Sequence, residues 1–257
     1  MFYFDDFFGK KVLKSTLLEG CEHFFTTRDF PLFQGTREDL TAIAEKNVDF
    51  LIEKFDINKN SLYRCKQMHT ANVEIADGEE NFFDNTDGII LTKPDTATFL
   101  NFADCIPIIL YDPIENIGGV VHAGWRGTAA KIQQRAVKIL TEKGSKPENI
   151  KAAIGAGIGK CCFDVNEDVF LKIFDGVDDT LAKSAYSFDD KSGKYFVDLK
   201  EVNKILLNEM SVHKVDVSGY CTSCSNDVFF SYRKENGDTA RHSAVLKISK
   251  KDKKCKL

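Results

Sequence analysis

Three side chains in this sequence have the chemistry to bind a metal ion or to carry out nucleophilic catalysis together. They are His69 in KQMHTANV, Cys105 in NFADCIPIILYDP and His122 in GGVVHAGWRGT. Imidazole nitrogen and thiolate are preferred ligands of zinc and copper, and three protein ligands leave a fourth position for water or substrate. The three residues lie far apart in the chain and match no short zinc-finger spacing. Residue chemistry alone therefore leaves three readings open. One is an open metal site, and another is a Cys105 nucleophile with His122 as its base. The third is a small buried cysteine flanked by two hydrogen-bonded histidines.

Groups suited to anions and aromatic ligands surround these three. Gly124-Trp125-Arg126-Gly127 follows His122 at what reads as a strand-to-helix turn. A helix start there presents free N–H groups to an anion, and Arg126 adds a bidentate phosphate contact. The same residues also fit an ordinary turn with an exposed arginine. Trp125, the only tryptophan, can stack on a base or fill a core rim. Arg28, Arg233 and Arg241 are further anion candidates, against the plainer reading of solvated strand edges. The glycine-rich run Ile154–Gly159 departs from the G-x-G-x-x-G dinucleotide fingerprint and suggests instead a close backbone approach to a ligand. Cys161 and Cys162 follow it directly. Cys221-Thr-Ser-Cys224 is a lone CxxC unless that adjacent pair completes it. Adjacent cysteines rarely share one metal, so the expectation is packing for at least one of the pair and reduced thiols in the CxxC.

A mixed α/β scaffold must position these groups. Apolar periodicity predicts a helix over Thr36–Phe55, with Thr36 as N-cap and Ile43 among the inward residues. A second helix is predicted over Thr128–Lys143, ending at Gly144, and a third after Asp198, with Glu201 set for a capping box. Strands are predicted at His23–Thr27, Gly88–Thr92, Thr98–Phe102, Ile106–Tyr111, Ile117–His122, Val228–Tyr232 and Ser243–Ile248. Several are apolar throughout, as in strands covered on both faces. Helices interleaved with strands indicate layered sheets flanked by helices. No linker or repeat divides the chain, so one domain over 1–257 is expected, with a flexible basic tail at 249–257.

Composition narrows the function class. The chain is 43% hydrophobic and 29% charged, close to soluble globular averages, which excludes disorder and coiled coil. A net charge of −4 sets up no field to draw nucleic acid or an anionic membrane. No run approaches the ~20 apolar residues of a membrane span, and MFYFDDFFGKK lacks the apolar stretch of a signal peptide. Eight cysteines are too few for a disulfide scaffold of this size. A cytoplasmic protein with reduced thiols is the expectation.

Taken together, the motifs resemble the laccase-domain (YfiH-like) family, formerly described as multicopper polyphenol oxidases. The matching stretches run in order from FTTR at Phe25–Arg28 through QMHTANV, TDGIILT, ADCIPIILYDP, VVHAGWRGT, IGAGIGKCCFDV, VDLKEVN and GYCT to FFSYRKENGDTARHSAVL. The pairing of ADC-x-P with HAGWRGT is the most specific part.

The resemblance implies a layered α/β domain holding one zinc, sometimes copper, through His69, Cys105 and His122. It implies purine nucleoside phosphorylase activity: adenosine, inosine or guanosine plus phosphate give free base and ribose 1-phosphate. Methylthioadenosine is cleaved in the same way, and adenosine is also deaminated. Asp87 and Asp104 are then acid/base candidates with Arg126 as a further catalytic group. Trp125, Arg28, Arg233 and Arg241 are substrate or phosphate holders. Alternatives are copper-dependent phenol oxidation, a non-catalytic metal-binding role and a Cys105 hydrolase. The chain departs from the family pattern at DFPLFQGTRED, which follows FTTR where a Gly-Gly-x-Ser stretch is usual, and at Phe102, where threonine is common. If the altered loop covers the site, substrate preference changes with it.

Overall fold

The computed structural model describes residues 1–251, and two large β-sheets dominate it. One has seven strands in the order Phe2–Phe7, Lys10–Ser15, Glu22–Thr26, His242–Ile248, Thr96–Phe102, Leu62–Cys65 and Phe82–Phe83. The other has six, in the order Lys214–Val217, Lys151–Ile154, Ile106–Asp112, Ile117–Ala123, Gly88–Leu91 and Val73–Ala76. A small sheet of Asp164–Val165, Lys194–Val197 and Tyr186–Asp189 joins the core on the far side of the six-stranded one.

Side chains alternate across a strand, and that alternation builds the layers. Phe25, Leu100 and Leu246 of the first sheet meet Ile89, Ile109 and Val120 of the second in one buried cluster, so the sheets pack face to face. Their neighbours Phe24, Phe99 and Val245 point the other way, onto Leu51 and Phe55 of the helix Thr41–Phe55. Ile90, Ile108 and Val121 likewise face Val137 and Leu140 of the helix Ile132–Glu142, and Leu206 of the helix Leu199–Glu209. The order of layers is helix, sheet, sheet, helices, the mixed α/β arrangement expected. Ile106–Asp112 and Ile117–Ala123 are buried along their whole length. They pair antiparallel, yet neither face is wet, because one packs on a sheet and the other on helices. That explains their unbroken apolar runs.

Several local expectations are corrected. The first helix starts only at Thr41, after a 3-10 turn at Glu38–Leu40. Thr36 does not cap it; its hydroxyl bonds the Gly237 carbonyl and Asp238, tying the 29–39 segment to the C-terminal loop. Ile43 is exposed, and Asn47 is buried instead, with its amide donating to the Pro31 carbonyl at 2.8 Å. The second helix is two, Trp125–Ala129 and Ile132–Glu142, because Lys131 takes a left-handed conformation (φ 60) between them. Asp198 does cap the third, accepting from the N–H groups of Lys200 and Glu201, but Glu201 turns to Lys204 rather than closing the box. Val228–Tyr232 is a series of turns. The N–H groups of Val228 and Phe229 donate to the Ser225 carbonyl, not to a neighbouring strand. From residue 252 on, the expected basic tail lies outside the described residues. Among the described residues no helix is long and apolar enough to cross a membrane.

Candidate functional site

A hairpin brings two of the three metal-type ligands together. In its register His122 lies opposite Pro107 and Ala123 opposite Ile106, so the chain just before Ile106 meets the chain just after Ala123. Cys105 therefore sits against Gly124. A Cβ on Gly124 would come within 2.8 Å of Cys105 Sγ and 3.3 Å of the His69 ring. No side chain fits there without displacing a ligand atom.

His69 arrives from outside the hairpin, in the loop between Leu62–Cys65 and Val73–Ala76, with φ 60. A non-glycine residue in that region needs its surroundings to hold it. Asp87 does so. Its buried carboxylate accepts from the backbone N–H of Met68, His69 and Thr70 at 3.1, 3.0 and 2.7 Å, and from the Thr70 hydroxyl at 2.8 Å. The same carboxylate accepts from His122 Nδ1 at 2.8 Å. Burial by itself would raise the Asp87 carboxyl, but the donors from His122 and Thr70 prevail and hold it at about 2. One anion thus orients both histidines. Fixing Nδ1 leaves His122 Nε2 free, the arrangement that second-shell carboxylates give metal-binding histidines.

The ligand atoms of His69, Cys105 and His122 all lie within 4.8 Å of one another, and the two imidazole rings are 4.9 Å apart at 76°. Burial opposes charge on Cys105, yet His122 and His69 beside it hold its thiol at about 6. Thiolate is the form that binds metal. Burial likewise opposes protonation of His122, but Cys105 and Asp87 raise it to about 9. The donor set, its spacing and the glycine-lined gap at residue 124 suit a tetrahedral ion with an open fourth position. Phe102 packs 5.2 Å from the His122 ring, so an apolar wall replaces the hydroxyl of the usual threonine.

This triad opens into a cavity of ≈ 860 Å³, within the range of small-molecule sites. Trp125, Arg126, Arg233, Arg241 and Asp104 line it with the triad, so most of the expected site residues converge. Arg28 does not. Its guanidinium forms a two-pronged pair with Glu235 at 2.9 and 3.2 Å and lies over the Phe230 ring, where it braces the C-terminal loop. Asp87 is beneath the cavity rather than in it. Asp104 adopts φ 90 and is fully engaged: it accepts from Thr222 Oγ1, Ser231 Oγ and the Arg233 N–H at 2.6–2.7 Å. Arg233 is shared with Asp164 at 2.6 Å, and Arg126 stacks over Trp125 at 4.3 Å.

Sequence reasoning missed Arg64, Phe33, Phe82 and Tyr232, which line the cavity. Only their residue types hinted at a role; no motif marks them. Phe33 belongs to the altered DFPLFQGTRED segment and bridges to Arg241, so that loop is one wall of the cavity. Two expected features take another form. The helix after Gly124 has five residues and resets at once, so it offers no extended N-terminus to an anion. The glycines of the glycine-rich run pack tightly on protein, since a Cβ on Gly155 would fall 2.3 Å from the Phe25 ring and one on Gly157 2.5 Å from Ile106. Ile158 of the same run lines the cavity.

Gly124→Ala tests the triad geometry. The added methyl displaces Cys105 Sγ, and metal affinity in a chelator competition should fall at least about tenfold while the melting temperature changes little. Unchanged affinity would show that Cys105 is not held against this position.

Residues 32–249 match the family described as multi-copper polyphenol oxidoreductase laccase. Purine nucleoside phosphorylase YlmD of Bacillus subtilis is 32% identical over 222 residues, 81% of this chain and 78% of its own length. Adenosine deaminase RL5, from an unknown prokaryotic organism, is 26% identical over 241 residues, 84% of this chain and 90% of its own. The crystal structure of the hypothetical protein YfiH from Bacillus licheniformis superposes with a TM-score of 0.83 at 28% identity, covering 93% of this chain and 96% of that one. The layered fold and the matched span agree: the chain belongs to the multi-copper polyphenol oxidoreductase laccase family.

Proposed function

We propose that the protein is a zinc-dependent purine nucleoside phosphorylase that also deaminates adenosine. The observation that carries this reading is a His-Cys-His donor set at the floor of a cavity walled by aromatic rings and arginines. A zinc ion held by His69, Cys105 and His122 would supply Lewis acidity at its open position. The relatives' names, one a phosphorylase and one a deaminase, support the two reaction types. Adenosine, inosine, guanosine and methylthioadenosine are the proposed nucleosides, and copper is the alternative metal.

Phosphorolysis requires phosphate to attack C1′ of the ribose while the glycosidic C–N bond breaks and the purine gains a proton. Arg126 can donate to a phosphate, and so can Arg241 and Arg233 through their remaining N–H groups. Nη1 of Arg241 bonds the carbonyls of Thr239 and Ala240, and Nη1 of Arg233 bonds the Cys162 carbonyl and Asp164. Trp125, Phe33 and Tyr232 offer faces for a purine. Asp87 and Asp104 serve as positioning residues in this reading. Asp87 has its acceptor sites filled by the loop it holds, and Asp104 fixes the backbone that carries Arg233.

Phenol oxidation by several coppers is disfavoured. Among the described residues a single donor group contains histidine, and His23 and His242 are buried elsewhere. Incubation with adenosine, with and without phosphate, separates the possibilities by product mass. Adenine and ribose 1-phosphate that require phosphate support the phosphorylase, and inosine without phosphate supports deamination. Either activity should fall at least about 100-fold in His69→Ala, since a metal contributes several kcal/mol to the barrier. Intact adenosine under both conditions, in protein carrying its metal, sinks the reading and leaves the non-catalytic alternative. Iodoacetamide labelling of Cys105 in metal-free protein, blocked by zinc, separates the metal role from a hydrolase nucleophile.

A further inference from the structure

Four other thiols converge on the far side of the loops that carry Asp104's partners. Cys161 and Cys162 end the glycine-rich run, while Cys221 and Cys224 bracket the CxxC, and all four Sγ atoms lie within 4.8 Å of one another. Cys224 Sγ is 3.5 Å from both Cys161 Sγ and Cys162 Sγ. None of the four is joined in a disulfide. Tetrahedral zinc with sulfur at ~2.3 Å places its ligands about 3.8 Å apart, so the observed separations are close to the edges of such a tetrahedron. Adjacent cysteines on an extended strand would point to opposite faces. Here they occupy a turn, in which the Gly159 carbonyl accepts from the N–H groups of Cys162 and Phe163, and both sulfurs reach Cys224.

We propose that Cys161, Cys162, Cys221 and Cys224 form a second, structural metal site for a thiophilic divalent ion of the zinc type, distinct from the His-Cys-His site. Three features of the surroundings fit an anionic sulfur cluster better than four packed thiols. First, the Gly159 N–H donates to Cys221 Sγ at 3.1 Å, the outer-shell bond that stabilises a metal-bound thiolate. Second, Cys161 and Cys224 are exposed and so contribute nothing to a core. Third, the buried ammonium of Lys200, which bonds the carbonyls of Ser218 and Tyr220 at 2.7 and 3.1 Å, lies within the electrostatic reach of Cys221 and Cys161 as well as of Asp198. A buried cation favours negative charge around it, and four thiolates around one divalent ion would add a net charge of about −2 to that of Asp198. Binding displaces the thiol protons to solvent and forms four metal–sulfur bonds, with no change of oxidation state.

The site would clamp the loop at Gly155–Cys162 to the loop at Cys221–Cys224. These loops already share a backbone bond, from the Thr222 N–H to the Gly157 carbonyl, where Gly157 pairs with Cys221. From the same loops, Thr222 Oγ1 reaches Asp104 Oδ1 at 2.6 Å and the Ile158 N–H reaches the Asp104 carbonyl. The clamp therefore acts on the cavity through the positioning of Asp104.

Metal analysis of the reduced, chelator-washed wild-type protein tests this. It should hold about two ions per chain, and about one in both His69→Ala/Cys105→Ser and Cys161→Ser/Cys224→Ser. Cobalt(II) loaded into His69→Ala/Cys105→Ser should show strong thiolate-to-cobalt charge-transfer absorption, which needs no substitution within the cluster. One ion that survives loss of His69 and Cys105 but not of Cys161 and Cys224 supports the proposal even if the first site fails. Metal content unchanged by Cys161→Ser/Cys224→Ser overturns it. So does non-reducing peptide mass analysis of freshly isolated protein showing a disulfide among these four residues.

Discussion

Asp87→Asn should both unfold more readily and bind metal far more weakly than the wild type. Five donors converge on this carboxylate: the backbone N–H groups of Met68, His69 and Thr70, the Thr70 hydroxyl and His122 Nδ1. An amide of nearly the same shape turns one acceptor oxygen into an NH₂ group facing N–H groups. Breaking a buried charge network by altering one partner costs about 3–5 kcal/mol. The His69 loop, held at φ 60, then relaxes, and His122 loses the bond that fixes its ring. Removal of such an outer-shell partner lowers metal affinity about 10–100-fold. Urea denaturation at pH 7 and a chelator competition measure the two effects. Loss of activity with wild-type stability and metal affinity would mean that Asp87 acts on substrate, as an acid/base residue, and not through the histidines.

Acidification should destabilise the protein well before Asp87 and Glu235 titrate. His23 is buried, and its Nε2 accepts from the Ser15 N–H at 3.1 Å, which requires the neutral ring. His242 is buried between the Phe102 and Phe229 rings. Burial holds both down at about 4, against 6.5 for an unhindered imidazole. The unfolded chain binds these two protons below pH 6.5, whereas the folded chain resists them until about pH 4. Their contribution is therefore fully present above pH 6.5 and is lost between there and about pH 4. At about 1.4 kcal/mol per tenfold change in proton affinity, each histidine accounts for roughly 3 kcal/mol. Together that rivals the net stability of a typical domain, about 5–15 kcal/mol. Asp87 and Glu235, both held at about 2, respond only below this window. His122, raised to about 9, releases its proton above the window and does not offset the loss. Denaturation midpoints at pH 7 and pH 4.5 should differ steeply in the wild type and much less in His23→Gln/His242→Leu. Parallel pH profiles for the two proteins would remove these histidines as the cause.

Much of the site was legible because its residue types are rare and its motifs compact. Cys105 and His122 stand at the ends of apolar runs, and with His69 they made a metal donor set one of three readings that residue chemistry left open, the one the motif resemblance favoured. The pairing of Cys105 with His122 was also within reach of local reasoning. Asp112-Pro113 is a turn signal, and the Asp112 side chain accepts from the Ile114 N–H to close that turn. Once the turn is placed, hairpin register sets His122 opposite Pro107. Helix boundaries were less legible. Thr36 looked like an N-cap, yet its hydroxyl has partners some two hundred residues away, and Lys131 breaks a helix whose apolar pattern runs straight through it.

The amino-acid sequence by itself determined the layered α/β class, the runs that would be buried on both faces and the three side chains with the chemistry to ligate a metal. These depend on side-chain chemistry and on periodicities of a few residues, which any window of the chain displays. Only the tertiary structure decided which arginines face the cavity. Arg28 and Arg241 look alike in sequence, but Glu235 folds against the first and leaves the second at the cavity wall. It also decided that Asp87 would orient two histidines from below and that four scattered cysteines would share one point in space. Contacts of this kind join loops from different layers. Their partners are chosen by how two sheets and three groups of loops pack, and no local pattern in the chain carries that information.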